Sequence, residues 1–334
     1  MTEAEFQSLL GWLGELTTEQ VATLRQALRR RDGLAQVAAI FERGQDGVCP
    51  PCVHCGGESR RWGHVRGLRR FRCAICGRTF TTLTNSPLSR LHKRGHWLTM
   101  IQALRDGWSV RKTAKACRIS IPTAFSWRHR FLRAIAGVAA ATRTDEITEV
   151  DETYFRRSLK GTKSVEGLLP DGRKPRHRGG RARGRGLPLA QFVAVLVARD
   201  RAGRTFQSVL DGRRTTDVVE AALTPVLGPA TVLCIDGGNA LWGFVERRRL
   251  PFRIITPQNH VHETEPVFHL QNVNAFHRRL KDWTRQFNGV STKYLGNYLA
   301  WFQTLDSKGV VQNSANWLRG CAGMGLAGRL QHKF

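Results

Sequence analysis

Ile147 to Phe155 reads Ile-Thr-Glu-Val-Asp-Glu-Thr-Tyr-Phe, with β-branched and aromatic residues interleaved with polar ones at period two, which predicts a strand. Asp151 falls at its middle, on the face shared by Ile147, Thr153 and Phe155. A carboxylate there is costly to desolvate unless a cation meets it. Two partners satisfy that need: an arginine in an ordinary salt bridge, or a metal at a catalytic sheet. A second acid, Asp236, ends the predicted buried strand Thr231 to Ile235 and is followed by Gly237 and Gly238. Open α/β sheets place their sites at the carboxyl ends of strands, and glycines let a ligand approach the backbone. An Asp-Gly turn is the plainer alternative. The third stretch is a predicted helix, Asn272 to Phe287, with the apolar stripe Val273, Phe276, Leu280, Trp283 and Phe287. Asn274, Arg278, Lys281 and Arg285 recur at steps of four, three and four and so share another face. That face could hold a metal at its amide end and a phosphate backbone along its cations.

A separate constellation is built for structural chemistry. Five of the eight cysteines lie between positions 49 and 76. Cys52-Val-His-Cys55 and Cys73-Ala-Ile-Cys76 are two C-x-x-C knuckles with 17 residues between them, the spacing of a four-thiolate zinc site. Gly56, Gly57 and Gly77 follow the knuckles, where the chain must turn tightly, and Trp62, Leu68 and Phe71 suit the small sheet of a zinc ribbon. Cys49, His54 and His64 are substitute ligands, but tetrahedral zinc needs four. Four thiolates leave no open position, so this zinc is structural. The surrounding arginines, Arg69 and Arg70 among them, make the ribbon a DNA-contacting module.

The charge balance points the same way. Among 334 residues, 53 Lys and Arg face 26 Asp and Glu, a net charge of +27 whose self-repulsion is relieved by a polyanion such as nucleic acid. No apolar run is long enough to cross a bilayer, and no basic amphipathic anchor stands out, so no membrane partner is expected. The acidic start, Met1-Thr2-Glu3-Ala4-Glu5, lacks a signal-peptide layout. A cytoplasmic, nucleoid-associated protein with reduced cysteines is the expectation.

These residues need elements to position them. Residues 2 to 43 read as short helices with capping boxes at Thr2–Glu5 and Thr17–Gln20 and stripes at Phe6, Leu9, Leu13 and at Val21, Leu24, Leu28. Gly95 to Ile135 is helical: a stripe at Trp97, Ile101 and Leu104, a short helix Val110 to Cys117, a turn, and a second helix capped by Ser120 near Pro122. That helix buries Ala124, Trp127, Phe131 and Ile135 and turns Thr123, Ser126, Arg128, His129 and Arg130 outward. This is a helix-turn-helix fit for a major groove, or a helical hairpin with a solvated basic face. Arg156 to Gly186 is rich in Gly, Arg and Lys and reads as a loop for non-specific phosphate contact, or as a solvated linker. Beyond it come a strand buried on both faces (Phe192 to Ala198), a hairpin partner (Thr205 to Leu210), a helix (Thr216 to Leu227), the Asp236 strand, a helix (Asn239 to Arg249) and a strand (Phe252 to Ile255). The order implies a mixed sheet with helices on its faces.

Taken together, the two knuckles, Glu-Val-Asp-Glu-Thr-Tyr, Ile-Asp-Gly-Gly and Asn-Val-Asn-Ala-Phe-His-Arg-Arg-Leu-Lys resemble the insertion-sequence transposases of bacteria and archaea. Within these it is the branch with an N-terminal zinc ribbon, an RNase H-like catalytic domain and a D-D-(E/N)-K signature. The resemblance spans roughly residues 45 to 305. It implies Asp151 as the first acid, Asp236 as the second, Asn274 at the third position and Lys281 as the signature lysine. It implies two Mg²⁺ (or Mn²⁺) ions held by Asp151, Asp236 and Asn274, with Lys281 on the phosphate, beside one structural Zn²⁺ on Cys52, Cys55, Cys73 and Cys76. It further implies double-stranded DNA as partner, both element ends and target, and a homodimer or larger assembly on it. Contacts to DNA are expected from Arg69, Arg70, Thr123, Ser126, Arg128, Arg130, Arg278 and Arg285.

The fold class expected is α/β in several domains: N-terminal helices (1–46), a zinc ribbon (47–90), a helix-turn-helix region (91–140), an RNase H-like mixed sheet flanked by helices (145–306, with the basic loop 156–186) and a tail (307–334). Asn274 has two readings, a working neutral ligand or the mark of a decayed enzyme, and Glu263 or Glu265 offers a replacement carboxylate. Beside a transposase cleaving and joining strands stand two competitors: a catalytically inactive, DNA-binding regulator, and a nuclease or resolvase that hydrolyses without joining.

Overall fold

The structure is a computed structural model that describes residues 2–43, 47–140, 142–161, 191–210, 212, 214–255, 265–307 and 313–323. The chain divides into two compact units. One takes in the chain up to Phe131 and from Asn313 onward; the other is Leu132–Gln312.

In the first unit, helices α1 (Glu3–Gly11) and α2 (Thr18–Glu42) both open on the capping boxes expected at Thr2 and Thr17. The second is one long helix rather than several short ones. Gly33 lies inside it, and a Cβ there would collide with the Gly95 carbonyl, so the site needs glycine for close packing. The stripe Phe6, Leu9 and Leu13 is exposed. Strands β1 (Ser59–Val65), β2 (Leu68–Cys73) and β3 (Thr79–Phe80) form an antiparallel sheet in that order. Leu68 and Phe71 are buried in it as expected, whereas Trp62 stands 42% exposed between the guanidinium groups of Arg60 and Arg72.

Helices α3 (Trp97–Arg105), α4 (Val110–Cys117) and α5 (Ile121–Ala140) follow. Ser109 and Ser120 accept from the amides of Lys112 and Thr123, so a hydroxyl starts α4 and another starts α5. Arg118 takes the left-handed conformation that turns the chain between them. Trp97, Ile101, Leu104, Ala124, Trp127, Phe131 and Ile135 are buried, as their spacing predicts.

One expectation on α5 is overturned. Arg128 does not face outward; it is 1% exposed, and its guanidinium donates to the Trp108 carbonyl in the turn before α4. A helix face read at 3.6 residues per turn leaves position 128 beside Trp127 and Phe131, and the long side chain folds inward to satisfy a buried carbonyl. Arg130 is likewise spent, donating to the carbonyls of Pro87 and Ser89 at 2.8 and 2.6 Å. Ser126 is exposed and Thr123 half-buried, which leaves them accessible.

The second unit is built on a five-stranded mixed sheet of order β6-β5-β4-β7-β8: β4 (Ile147–Arg156), β5 (Phe192–Asp200), β6 (Thr205–Leu210), β7 (Val232–Ile235) and β8 (Phe252–Ile254). β4, β5 and β6 run antiparallel, with Asp151 opposite Val197; β7 and β8 run parallel to β4. Strand β5 is buried on both faces, as its unbroken apolar run requires. Its residues Leu196 and Ala198 pack with α6 (Thr216–Leu223) and α7 (Asn239–Arg248); Val195 and Val197 pack with α8 (Gln271–Arg285) and α9 (Leu295–Asp306). Helix α6 ends four residues sooner than expected, because Pro225 has no N–H to extend its ladder. Of the basic loop 156–186, residues 162–186 lie outside the described residues.

Past α9 the chain rejoins the first unit. The tail, from which nothing was expected, supplies α10 (Ser314–Cys321). Its Trp317 is fully buried, and Arg105 of α3 donates to the Ser314 hydroxyl at 3.1 Å.

Candidate active site

Asp151 sits mid-strand on the face of β4 that α8 covers, since Ile147 and Phe155 pack into the α8 core. Its side chain keeps 23% exposure, and the Glu152 amide donates to its Oδ1 at 2.7 Å. Asp236 follows directly on β7, the parallel neighbour of β4, at the strand's carboxyl end. Gly237 has φ +80°, and the Gly238 amide returns a 3.0 Å hydrogen bond to Asp236 Oδ1. Glycine at 237 is therefore a conformational requirement of this turn.

The opposite wall is α8. A cleft of about 410 Å³ is lined by Asp151, Glu152 and Thr153 from β4 and by Asn274, His277, Arg278, Lys281, Asp282 and Arg285 from α8. All four residues of the expected polar face thus converge on the cleft with Asp151. Asp236 does not line it, but its charge reaches Asp151. Burial, and then the Asp236 and Glu152 carboxylates, push the Asp151 carboxyl up to about 6, against the Glu152 amide and Lys281, which lower it. Arg285 pairs with Asp282 at 2.9 Å, which offsets part of its charge.

Two residues at this site carried no sequence assignment. Glu149, two positions before Asp151 on the same face, is fully buried. It pairs with Arg201, accepts from the Val273 amide at 2.8 Å and from Asn272 Nδ2 at 3.0 Å, and lies 3.3 Å from His269 Nδ1. A strand carboxylate thereby caps the N-terminus of α8, where the helix has no side-chain cap of its own. His277, 7% exposed, places Nδ1 3.6 Å from Asp151 Oδ2. Burial, reinforced by Lys281, lowers it to about 4, so the imidazole is neutral near pH 7. The signal for His277 was its place three residues after Asn274; nothing local marked Glu149. Of the replacement carboxylates, Glu265 is tied to Arg253 Nε at 2.6 Å, and Glu263 lies outside the described residues.

The four knuckle cysteines also converge. Their sulfurs all lie within 4.8 Å of one another, with Cys52–Cys76 at 3.7 Å and Cys55–Cys73 at 3.5 Å. Zn–S bonds of about 2.3 Å put tetrahedral sulfurs about 3.8 Å apart, so the cage has the dimensions of zinc. The Cys76 and Ile75 amides point at Cys73 Sγ, and the former leads in lowering that thiol to about 6. In the same ribbon, Arg69 pairs with Glu42 at 3.0 Å and Arg70 donates to Thr79 Oγ1 at 3.0 Å.

Residues 92–140 match a homeodomain-like domain, and residues 144–303 match the ISXO2-like transposase domain. The chain carries an insertion-sequence transposase domain of the DDE type. No curated protein matches the chain. Among solved structures, the Mos1 transposase paired-end complex with left transposon end is 11% identical over 67% of this chain and 78% of that chain, with a TM-score of 0.23. The pre-cleavage Mos1 transpososome is 10% identical over the same shares, also at 0.23. A transposase domain of this type implies a divalent metal. The donors around Asp151 suit one: burial and the neighbouring carboxylates, which together lift its pKa, disfavour a bare negative charge that a dication would neutralise, and Asn274 adds a neutral oxygen.

Proposed function

We propose that this protein is a DNA transposase that binds the terminal inverted repeats of an insertion sequence and catalyses Mg²⁺- or Mn²⁺-dependent strand cleavage and strand transfer. The observation that carries this reading is the convergence of Asp151 with Asn274, Arg278 and Lys281 on one cleft inside an ISXO2-like transposase domain. Asp151, Asp236 and Asn274 would hold the cations on an RNase H-like sheet. When bound, such cations polarise the phosphoryl oxygens and supply a hydroxide-like nucleophile. Lys281 offers a point charge to the scissile phosphate. Arg278 and Arg285 extend the cationic track along α8 for the flanking backbone. Strand transfer then reuses the same groups, with the freed 3′ hydroxyl in place of water and no covalent protein intermediate.

Recognition belongs to the other modules: the zinc ribbon of residues 47–90 through Zn²⁺ on Cys52, Cys55, Cys73 and Cys76, and the helix-turn-helix of residues 91–140. Within these, Thr123 and Ser126 are the accessible contacts on α5, while Arg128 and Arg130 are committed to backbone carbonyls. Two ends joined in one complex require a dimer or larger assembly on DNA in the bacterial or archaeal cytoplasm.

The test uses a labelled duplex carrying the element's own end, with Mg²⁺ or Mn²⁺. Nicking at the element boundary followed by joined product, both abolished by Asp151→Ala, is the expected result. Hydrolysis without joining would make the protein a nuclease or resolvase. A second reading, an inactive DNA-binding regulator, draws on the neutral amide at Asn274; tight binding without cleavage in either protein would establish it.

A further inference from the structure

The third position of the site is an amide, so the donor set of Asp151, Asp236 and Asn274 is one carboxylate short of three. His277 stands where a further donor is needed. It lies one turn beyond Asn274 on the same side of α8, lines the same cleft, and brings Nδ1 to 3.6 Å from Asp151 Oδ2. That separation is too long for a hydrogen bond. It lies between the roughly 3.0 Å of adjacent and the roughly 4.2 Å of opposite ligands on an octahedral ion with bonds of about 2.1 Å.

An ordinary core histidine is engaged by its surroundings. Among the described residues, neither ring nitrogen of His277 makes a hydrogen bond, and Nε2 is buried without a partner. Lys281, one turn further along α8, lines the same cleft. A helix offering an oxygen donor at i and an imidazole at i+3 to one metal is a known arrangement in carboxylate-bridged metal bundles. Here it reads Asn-x-x-His.

We propose that the His277 imidazole is an inner-sphere ligand to the divalent cation at Asp151, and that this nitrogen donor makes the site select Mn²⁺ over Mg²⁺. Mg²⁺ takes oxygen ligands and sheds water reluctantly, whereas imidazole suits first-row transition metals. The inference rests on Asp151 being a metal ligand.

Pulsed electron paramagnetic resonance of Mn²⁺ bound to the zinc-loaded, DNA-free chain tests it without any turnover. The expected signature is imidazole nitrogen modulation on the Mn²⁺ echo. ¹⁵N-histidine labelling should change it, His277→Gln should remove it, and His269→Gln should leave it intact. Mn²⁺ affinity should fall about tenfold or more in His277→Gln, with a much smaller change for Mg²⁺ measured by competition. No nitrogen modulation in the wild type, modulation that survives His277→Gln, or no Mn²⁺ binding at all would overturn the assignment. His277→Asn serves as the second variant if His277→Gln fails to fold. Asp151→Ala separates the two layers: Mn²⁺ binding that survives it would sink the active-site reading itself, while Mn²⁺ bound through Asp151 without nitrogen modulation would sink only His277.

Discussion

A half-buried carboxylate beside a second one carries a repulsion that only a proton or a cation relieves. Asp151 is in that position: burial first, and then Asp236, lift it from an unfolded value of about 3.9 to about 6. Between these values the folded chain binds more protons than the unfolded one, so stability contributed by this group falls as pH rises from about 4 to about 6. Above that window the cost is at most about 3 kcal/mol, because the side chain is only partly exposed. Asp151→Asn should therefore raise the unfolding midpoint of the metal-free protein at pH 7.5, and the gain should vanish by pH 4. Thermal melts at the two pH values check this. A gain that is the same at both would mean that the Asp151 charge is not under strain. The same substitution should abolish cleavage, since the amide cannot hold a dication as the carboxylate does. Stability and activity are opposed at this residue.

At the scale of elements, β4 and α8 make the cleft, and Glu149 ties them together. It is buried, meets Arg201, and closes the N-terminus of α8 through Val273 and Asn272. Removing one partner of a buried ion pair strands the other and typically costs about 3–5 kcal/mol. Glu149→Ala should lose that much stability in urea unfolding. It should also weaken the joint delivery of Asp151 and Asn274, although Glu149 itself does not line the cleft. A loss below about 1 kcal/mol would show that the α8 start is held by its apolar stripe instead. Helix α5 is a case where an element's role shifts on folding: Arg128, which has the composition of a DNA contact, serves as a clamp on the Trp108 turn.

For the whole molecule, a net charge of +27 and a small sheet beside a four-cysteine cage set the conditions of work. The β1–β3 sheet has a small core cluster of Cys52, Phe71, Cys73 and Phe80, two of whose four members are cage cysteines. Its fold is therefore tied to the thiolate cage. Removal of zinc by a strong chelator should strip amide protection from β1–β3 while β4–β8 keep theirs, as read by hydrogen exchange. Loss of DNA-end binding should accompany it. Protection of β1–β3 that survives chelation would remove zinc from the fold of this ribbon. The apolar stripe Phe6, Leu9 and Leu13, on α1 and the turn after it, is exposed.

Short-range patterns in the sequence sufficed for the strand around Asp151, the Asp236-Gly-Gly turn, the two knuckles, the capping boxes and the polar face of α8. Each depends on residues within a turn or two of one another, where periodicity and cap chemistry are decided locally. The polar face also announced which residues would share a cleft, because one helix carries all four. What folding alone decided involves partners far apart in the chain. Glu149 meets Arg201 at a separation of 52 residues and Val273 at 124, and no local pattern connects them. Arg128 turned inward because a carbonyl 20 residues earlier lacked a donor, a need invisible along its own helix. The helix from Ser314 joined the first unit across the whole length of the second, through Arg105, 209 residues away. His277 lies between these cases: its spacing from Asn274 is local, but its nearness to Asp151 required β4 and α8 to pack face to face.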